Sequence, residues 1–425
     1  MRKAPLAAPA VAIIAGILLA HHVPSITIAT WLWLMAACSV VMGICIHVRP
    51  RMAAVGAVLL CGMVGGILTT HSEQRHWSHH CADHAFLTVH LDETPQPRTK
   101  SYRAKGHVPG QGDITVYLRA DSTSAALRYG DRLLLHGYPD RERQSIYITL
   151  DHYIVVERDS SSLRARSEAL RMRLVRRMQS GPLRHAGVAE ALALGWRADI
   201  DPATQDLYRS AGIAHLLAVS GLHVGLIAAI VGALLFWTGN ERRGRTVRGV
   251  AQMLAVWLFT LVTGLAPSAI RAALMFSLFI VANISERRTP KFNLLAATAI
   301  ATLVAKPLLL FDVGWQMSYS AIAGILLCRP LIAAFRNKVW QASMVSIAAT
   351  AATLPVSLAT FHRFYPYFLI ANILIVPLAG TMLFLSLVYM ALPCAATAWP
   401  LDLVLQCTDW LTALVASLPG AVLKL

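Results

Sequence analysis

Two histidines and a serine interrupt an otherwise apolar stretch at residues 211–225, AGIAHLLAVSGLHVG. A serine three residues from a histidine pairs a nucleophile with a base, so Ser220 and His223 admit an intramembrane serine hydrolase. Against that chemistry, the two project side by side on one helix, and no GxSxG elbow frames the serine. A second reading follows from cost: polar groups at membrane depth face an interior or a water-filled pathway. Gly221 and Gly225 would allow close helix approach or local unwinding there. In the plainest reading, His215 and His223 only hydrogen-bond neighbouring helices.

Residues 261–275, LVTGLAPSAIRAALM, carry a cation in a similar setting. Gly264 and Pro267 end one apolar run, and Ser268 is placed to cap the next helix. Arg271 then falls in the first turn, where a guanidinium beside a positive helix N-terminus suits phosphate in charge and geometry. Snorkelling to the interface is the alternative. In FDVGWQMSYSAIAG, residues 311–324, Asp312 is placed to pair with Arg271, and Gln316, Ser318 and Ser320 add hydrogen-bonding groups. Residues 361–377 hold His362, Arg363, Asn372 and Pro377 among aromatics.

Three further clusters bear on chemistry. Residues 163–178 place Leu163, Leu170, Leu174, Val175 and Met178 at helical spacing, with Arg164, Arg166, Arg171, Arg173, Arg176 and Arg177 against Glu168 alone. This pattern predicts a basic amphipathic helix along the membrane surface, or an ordinary solvated helix docked on the β-barrel that precedes it. The tract from His71 to His90, with His76, His79, His80, His84, Cys81 and Asp83, offers metal-ligand types, but its spacing fits no standard site. We read it as a solvated loop and expect neither metal nor cofactor. Six of the seven cysteines lie in apolar runs, so no disulfide framework is implied.

The elements that hold these residues follow from composition. The chain has 425 residues, 56% hydrophobic and 14% charged, with a mean hydropathy of +0.55. A soluble protein carries about a quarter charged residues, so a soluble enzyme is excluded. The net charge of +16 does not by itself imply nucleic acid, because cytoplasmic loops of membrane proteins collect Lys and Arg. Apolar runs at 6–20, 26–46 and 52–70, and again at 213–237, 250–264, 270–284, 294–304, 316–327, 342–360, 368–391 and 401–418, predict a polytopic α-helical membrane protein of about 10–11 transmembrane helices. Basic residues at 49 and 51, 242–248, 287–291 and 329–338 alternate with weakly charged loops. That places the N-terminus in the cytoplasm and residues 71–212 outside it. In that polar region, charge is nearly balanced, and strand-like runs at 85–91, 114–120, 132–138 and 145–156 suggest an inserted small β-barrel, OB-like in type. The domains expected are 1–70, three helices; 71–160, the β domain; 161–212, interfacial helices; and 213–425, the main membrane domain.

The segments HLLAVSGLHVGL, TGLAPSAIRAALM, GWQMSYSAIAGI and ANILIVPLAG together resemble the signature segments of the ComEC-type competence proteins, in the same order, across roughly residues 200–390. The first three spans and the external domain resemble that family's N-terminal half more loosely. The resemblance implies a channel, not an enzyme, in a bacterial inner membrane, passing single-stranded DNA during natural transformation. Its path would run along His215, Ser220, His223, Arg271, Asp312 and Gln316, and the arginine helix would contact phosphates. Many members continue into a metallo-β-lactamase-like domain with an HxHxDH motif, which this sequence lacks. The expectation is a short form served by a separate motor or nuclease protein, in the lipid bilayer, possible as a homo-oligomer. A transporter of another anionic solute is the alternative.

Overall fold

In hydrocarbon a backbone must satisfy its polar groups within its own segment, so long apolar runs become helices. The computed structural model describes residues 5–23, 25–48, 50–76, 85–97, 101–109, 112–119, 121–140, 145–147, 153–158, 161–239, 241–286 and 289–424. The chain opens with α1 (Ala7–His22), α2 (Ile28–Val48) and α3 (Pro50–His76). The polar insert follows as β1 (Ala85–Leu91), β2 (Gln96–Pro97), β3 (Ser101–Val108), β4 (Gly112–Arg119), α4 (Ser122–Ala125), β5 (Asp131–Asp140), β6 (Ser145–Tyr147) and β7 (Tyr153–Arg158). Next come α5 (Leu163–Gln179), α6 (Ala186–Leu194), α7 (Pro202–Ser210), α8 (Gly221–Leu234), α9 (Arg242–Val262) and α10 (Pro267–Ile284). The chain continues through α11 (Lys291–Ala305), α12 (Val313–Leu327), α13 (Arg329–Ala334), α14 (Lys338–Phe361), β8 (Arg363–Phe364), α15 (Phe368–Ala391), α16 (Ala395–Ala416) and β9 (Leu423–Lys424).

Among the described residues, four segments are long and apolar enough to cross a bilayer: Ala54–Ser72, Pro267–Ile284, Lys338–Phe361 and Phe368–Ala391. Ala7–His22, Ile28–Met42, Gly221–Leu234, Lys291–Ala305 and Val313–Leu327 are apolar but shorter. The chain is therefore a multi-pass membrane protein. Several runs that are continuous in hydropathy are broken in backbone: the run at 213–237 is a 3-10 turn, Ala214–Leu217, then extended backbone, and only from Gly221 an α-helix. Arg242, Arg243, Arg245 and Arg248, expected in a loop, occupy the first two turns of α9.

The sheet pairs β1–β3, β3–β4, β4–β6 and β6–β5 along one path, with β1 also on β5, β2 on β3 and β7 on β5. The β4–β6 pair is parallel and the rest antiparallel. Alternate residues Leu87, Val89 and Leu91 meet Leu133, Leu135, Val116 and Leu118 in a core of the sheet's own. The expected strand at 145–156 is two, β6 and β7, and β3 is an addition to the strands expected. Its inward positions include Ala104 and Gly106, which are too small to mark an apolar face. Of the histidine-rich tract, residues 77–84 lie outside the described residues. At its end, the ring of His90 stacks on that of His107 at 5.2 Å, and His107 Nδ1 lies 3.0 Å from Asp92.

Beneath the sheet the helices form one packed body. The largest core cluster joins Val175 and Met178 of α5, all of α6 from Val188 to Leu194 except Glu190, Tyr208 of α7, Ala371 to Tyr389 of α15 and Leu401 to Val415 of α16. One face of α5 docks on α6, α9 and α15. Two bonds from α16 fix this layer: Tyr208 donates to Asp409 at 2.8 Å, and Asp402 meets His185 Nδ1 at 3.0 Å.

Small residues set the N-terminal packing. A Cβ on Gly16 of α1 would stand 1.8 Å from the Gly62 carbonyl oxygen of α3, so the two backbones touch. Gly16→Ala should force the helices apart at a cost of about 1–3 kcal/mol, read as a lowered thermal midpoint in detergent and weaker α1–α3 disulfide trapping. An unchanged midpoint would contradict the close approach.

Glu190 gives a second prediction. It is fully buried beside Asp199, whose Oδ2 accepts from the Trp196 indole at 2.6 Å and the Gln179 amide at 2.9 Å. Burial, reinforced by the Asp199 charge, pushes the Glu190 carboxyl up to about 8 from 4.5. Between those values the folded chain holds a proton that the unfolded chain has released, so stability falls as pH rises through that window and levels off above it. Glu190→Gln should flatten the profile of thermal midpoint against pH between about pH 5 and about pH 8; parallel profiles for variant and parent would refute the assignment.

Candidate functional site

The start of α8 organises the first segment. Ser220 is its N-cap, extended at φ −126° and ψ 171°, and His223 sits three residues on in a capping box. His223 Nδ1 accepts the Ser220 backbone N–H at 3.2 Å and contacts the Ser220 hydroxyl at 3.1 Å. Accepting at Nδ1 requires the tautomer with its proton on Nε2. That Nε2 is buried and, among the described residues, has no partner. The Ser220–His223 contact therefore serves the helix start. His215 lies in the preceding 3-10 turn and is exposed.

The second segment is the tight α9–α10 connection. Gly264 at φ +74° and Leu265 at φ +53° reverse the chain, and the Leu265 N–H reaches the Thr260 carbonyl at 2.9 Å, as in a Schellman termination. Pro267 then occupies the first turn of α10, where its missing N–H costs nothing. Ser268 does not cap this helix, whose N-cap is Ala266. Its hydroxyl donates instead to the Val219 carbonyl at 2.6 Å, one residue before Ser220, and this bond ties the second segment to the first.

The third segment begins α12. Arg271 and Asp312 are close enough for their charges to attract, but among the described residues the hydrogen bonds of both go to backbone. Arg271, 5% exposed, donates from Nη2 to the Gly314 carbonyl at 2.9 Å, while Asp312 caps α12 by accepting the Trp315 N–H at 2.7 Å. Arg271 Nε remains buried and, among the described residues, without a partner. Gln316 is also structural, donating to the Leu310 carbonyl at 2.8 Å. Behind it lie groups that sequence reasoning passes over. The Trp315 indole donates to Thr302 at 3.1 Å, Thr302 meets the Tyr319 hydroxyl at 3.2 Å, and the Trp315 and Tyr319 rings lie 4.2 Å apart. Trp315 and Tyr319 are four apart in GWQMSYS, a spacing that could flag them. Gly225 of α8 faces the Phe276 ring of α10, and Gly221 faces Ala272. So the first and second segments are joined by Ser268 on the Val219 carbonyl, and the second and third by Arg271 on the Gly314 carbonyl. Ser220 and His223 bond to each other, Asp312 and Gln316 to backbone of the third segment, and His215 lies in the 3-10 turn before them. In the fourth segment, Asn372 of α15 donates to Ser346 of α14 at 2.7 Å.

The arginine helix divides in two. Arg171 is not a surface cation: it pairs with Glu168 at 2.6 Å, donates to the Thr263 carbonyl at 3.3 Å, and lies 5.3 Å from the Trp196 ring centroid. A Cβ on Gly264 would stand 2.6 Å from the Arg171 guanidinium, and Ser167 donates to the Leu261 carbonyl. Burial pushes the Glu168 carboxyl above its ordinary range, opposed by Arg171. Arg164 covers the Tyr129 ring at 4.9 Å, and Arg177 donates to the Ala391 carbonyl at 2.5 Å. Arg166, Arg173 and Arg176 are exposed. Among the described residues, no group of three metal-ligating side chains gathers.

A family model described as Competence protein matches residues 192–425. Over 191 residues the chain is 29% identical to ComE operon protein 3 of Bacillus subtilis, covering 45% of this chain and 24% of that one. Over 175 residues it is 31% identical to Recombination protein 2 of Haemophilus influenzae, covering 40% and 21%. Over 201 residues it is 22% identical to the uncharacterized protein YcaI of Escherichia coli, covering 44% and 26%. The alignments thus span about a quarter of these relatives' length. No solved structure matches. The family match takes in all three segments joined around Arg271, and the chain belongs to the competence protein family.

Proposed function

We propose that the chain is an inner-membrane conduit that passes single-stranded DNA into the cytoplasm. One observation carries this reading: three separated segments are drawn together around a buried guanidinium whose Nε has no partner among the described residues. An unpaired donor on a buried cation favours an anion, and the competence family together with a relative named for recombination suggests a nucleic-acid phosphate. The path runs along the seam between α8, α10 and α12, with Arg271 as its charged element and His223 Nε2–H as a neutral donor. His215 stands at its outer margin, and Asp312 and Gln316 hold its wall.

The orientation proposed has the N-terminus in the cytoplasm and residues 71–212 outside, following the arginines that open α9 and the basic residues Arg329, Arg336 and Lys338 around α13. The strand pairing supports an OB-like barrel outside the membrane, since the path through β1, β3, β4, β6 and β5 returns to β1. That region and the α5 arginines that adjoin it, Arg166 and Arg173, receive the strand, and a separate motor or nuclease protein supplies and drives it.

In a deletion strain complemented at equal protein level, Arg271→Ala should lower uptake of labelled single-stranded DNA about tenfold or more, the scale of one charged hydrogen bond. Arg271→Lys, which keeps the charge but not the fork geometry, should fall between. Parent-level uptake by Arg271→Ala would overturn the assigned role.

A further inference from the structure

Where the sheet meets α5 the chain leaves a cleft of about 330 Å³, within the size range of small-ligand sites. Its walls are the Thr94 and Arg128–Tyr129 turns, Arg158 at the end of β7, and the face of α5 from Ala165 to Arg173. The charge within it is lopsided. Arg158 is matched by Asp131 at 3.0 Å, and Glu168 by Arg171 at 2.6 Å. Arg128, Arg166 and Arg173 are exposed, and among the described residues their guanidinium groups have no hydrogen bond or ion pair. Three unmatched cations therefore face one small volume from two structural elements.

The geometry is ordered. Arg166 and Arg173 are seven residues apart on α5, hence on one face and about 10.5 Å apart along the axis. Arg128 approaches from the sheet. Tyr129 lines the same cleft, its amide donating to Thr94 Oγ1 at 3.3 Å and one face of its ring covered by Arg164 at 4.9 Å. Unmatched guanidinium groups beside a fixed aromatic ring are the combination that holds a single strand: phosphates on the cations, bases against the π-face. Arg176 is exposed on the same helix and lies outside the cleft.

We propose that this cleft binds a phosphodiester of a single nucleic-acid strand through Arg128, Arg166 and Arg173, with Tyr129 as the wall for an adjacent base. The proposal rests on the strand-conduit reading and narrows its receiving surface from a helix face to one pocket between sheet and helix. It also brings in Arg128 and Tyr129, which lie outside the arginine helix.

The test uses the full chain in phosphatidylcholine nanodiscs and a fluorescent twelve-residue oligothymidylate, read by anisotropy across a salt series. Arg128→Ala, Arg166→Ala and Arg173→Ala should each weaken binding about tenfold. Each should also reduce the slope of log affinity against log salt by about 0.7 for every phosphate left without its cation. Arg176→Ala should stay within about twofold of the parent, and Arg128→Lys should restore most of the slope. Thermal midpoints confirm that every variant is folded. If Arg176→Ala weakens binding as much as Arg166→Ala, the helix surface binds the strand and the cleft proposal is overturned. If the parent does not bind the oligonucleotide, both proposals fall. If dihexanoylphosphatidylglycerol competes equally at matched phosphate concentration, the cleft is a lipid-headgroup site and the proposal is overturned.

Discussion

A guanidinium placed in the first turn of an apolar helix has to find oxygen atoms or drag water into the bilayer. Arg271 finds the Gly314 carbonyl, and much of the surrounding architecture follows from that bond. Gly314 stands at the start of α12, so α12 must begin opposite the first turn of α10. Asp312 must hold that start open to the guanidinium, which it does by capping with Trp315. Ser268, one turn earlier, fastens α10 to the chain entering α8. Three helix termini are thus arranged around a single side chain, which is itself buried.

Part of this is legible in the sequence. Long apolar runs and clustered arginines are physical signals with little competition, so the helical membrane class can be read directly. The motif segments stand out as polar interruptions, and two bonds, Ser268 to the Val219 carbonyl and Arg271 to the Gly314 carbonyl, join them. The partners cannot be read, because those are mostly backbone carbonyls, which every residue carries. Ser268 resembles a cap since a hydroxyl near a helix start usually is one; the Val219 carbonyl, distant in sequence, competes successfully for it. Arg171 resembles its five neighbours on the arginine helix, and only the fold brings Glu168, Thr263 and Trp196 around it. In the sheet, β3 is hidden because its inward residues are small, and small residues are invisible to hydrophobic alternation.

The same limit applies to charge. A net excess of +16 reads as one number, yet the arginines do four different things. Among those opening α9, Arg245 pairs with Glu286 across the surface, and Arg171 is buried in an ion pair. Arg164 lies on an aromatic ring, and Arg166 and Arg173 stand unmatched at the junction of sheet and helix. Only burial and partners separate these roles, and neither is a property of residue type.

The attachment of α5 also alters where the membrane body begins. The family match starts at residue 192, within α6, yet Val175 and Met178 are part of the same core as α15 and α16. Ser167 and Arg171 are bonded to the α9–α10 connection. The unit that folds together therefore reaches back to the Ser162 cap of α5. A displacement of the sheet that pulled on α5 would be felt at Gly264, three residues ahead of α10, so the sheet region has a mechanical handle on the segment that carries Arg271.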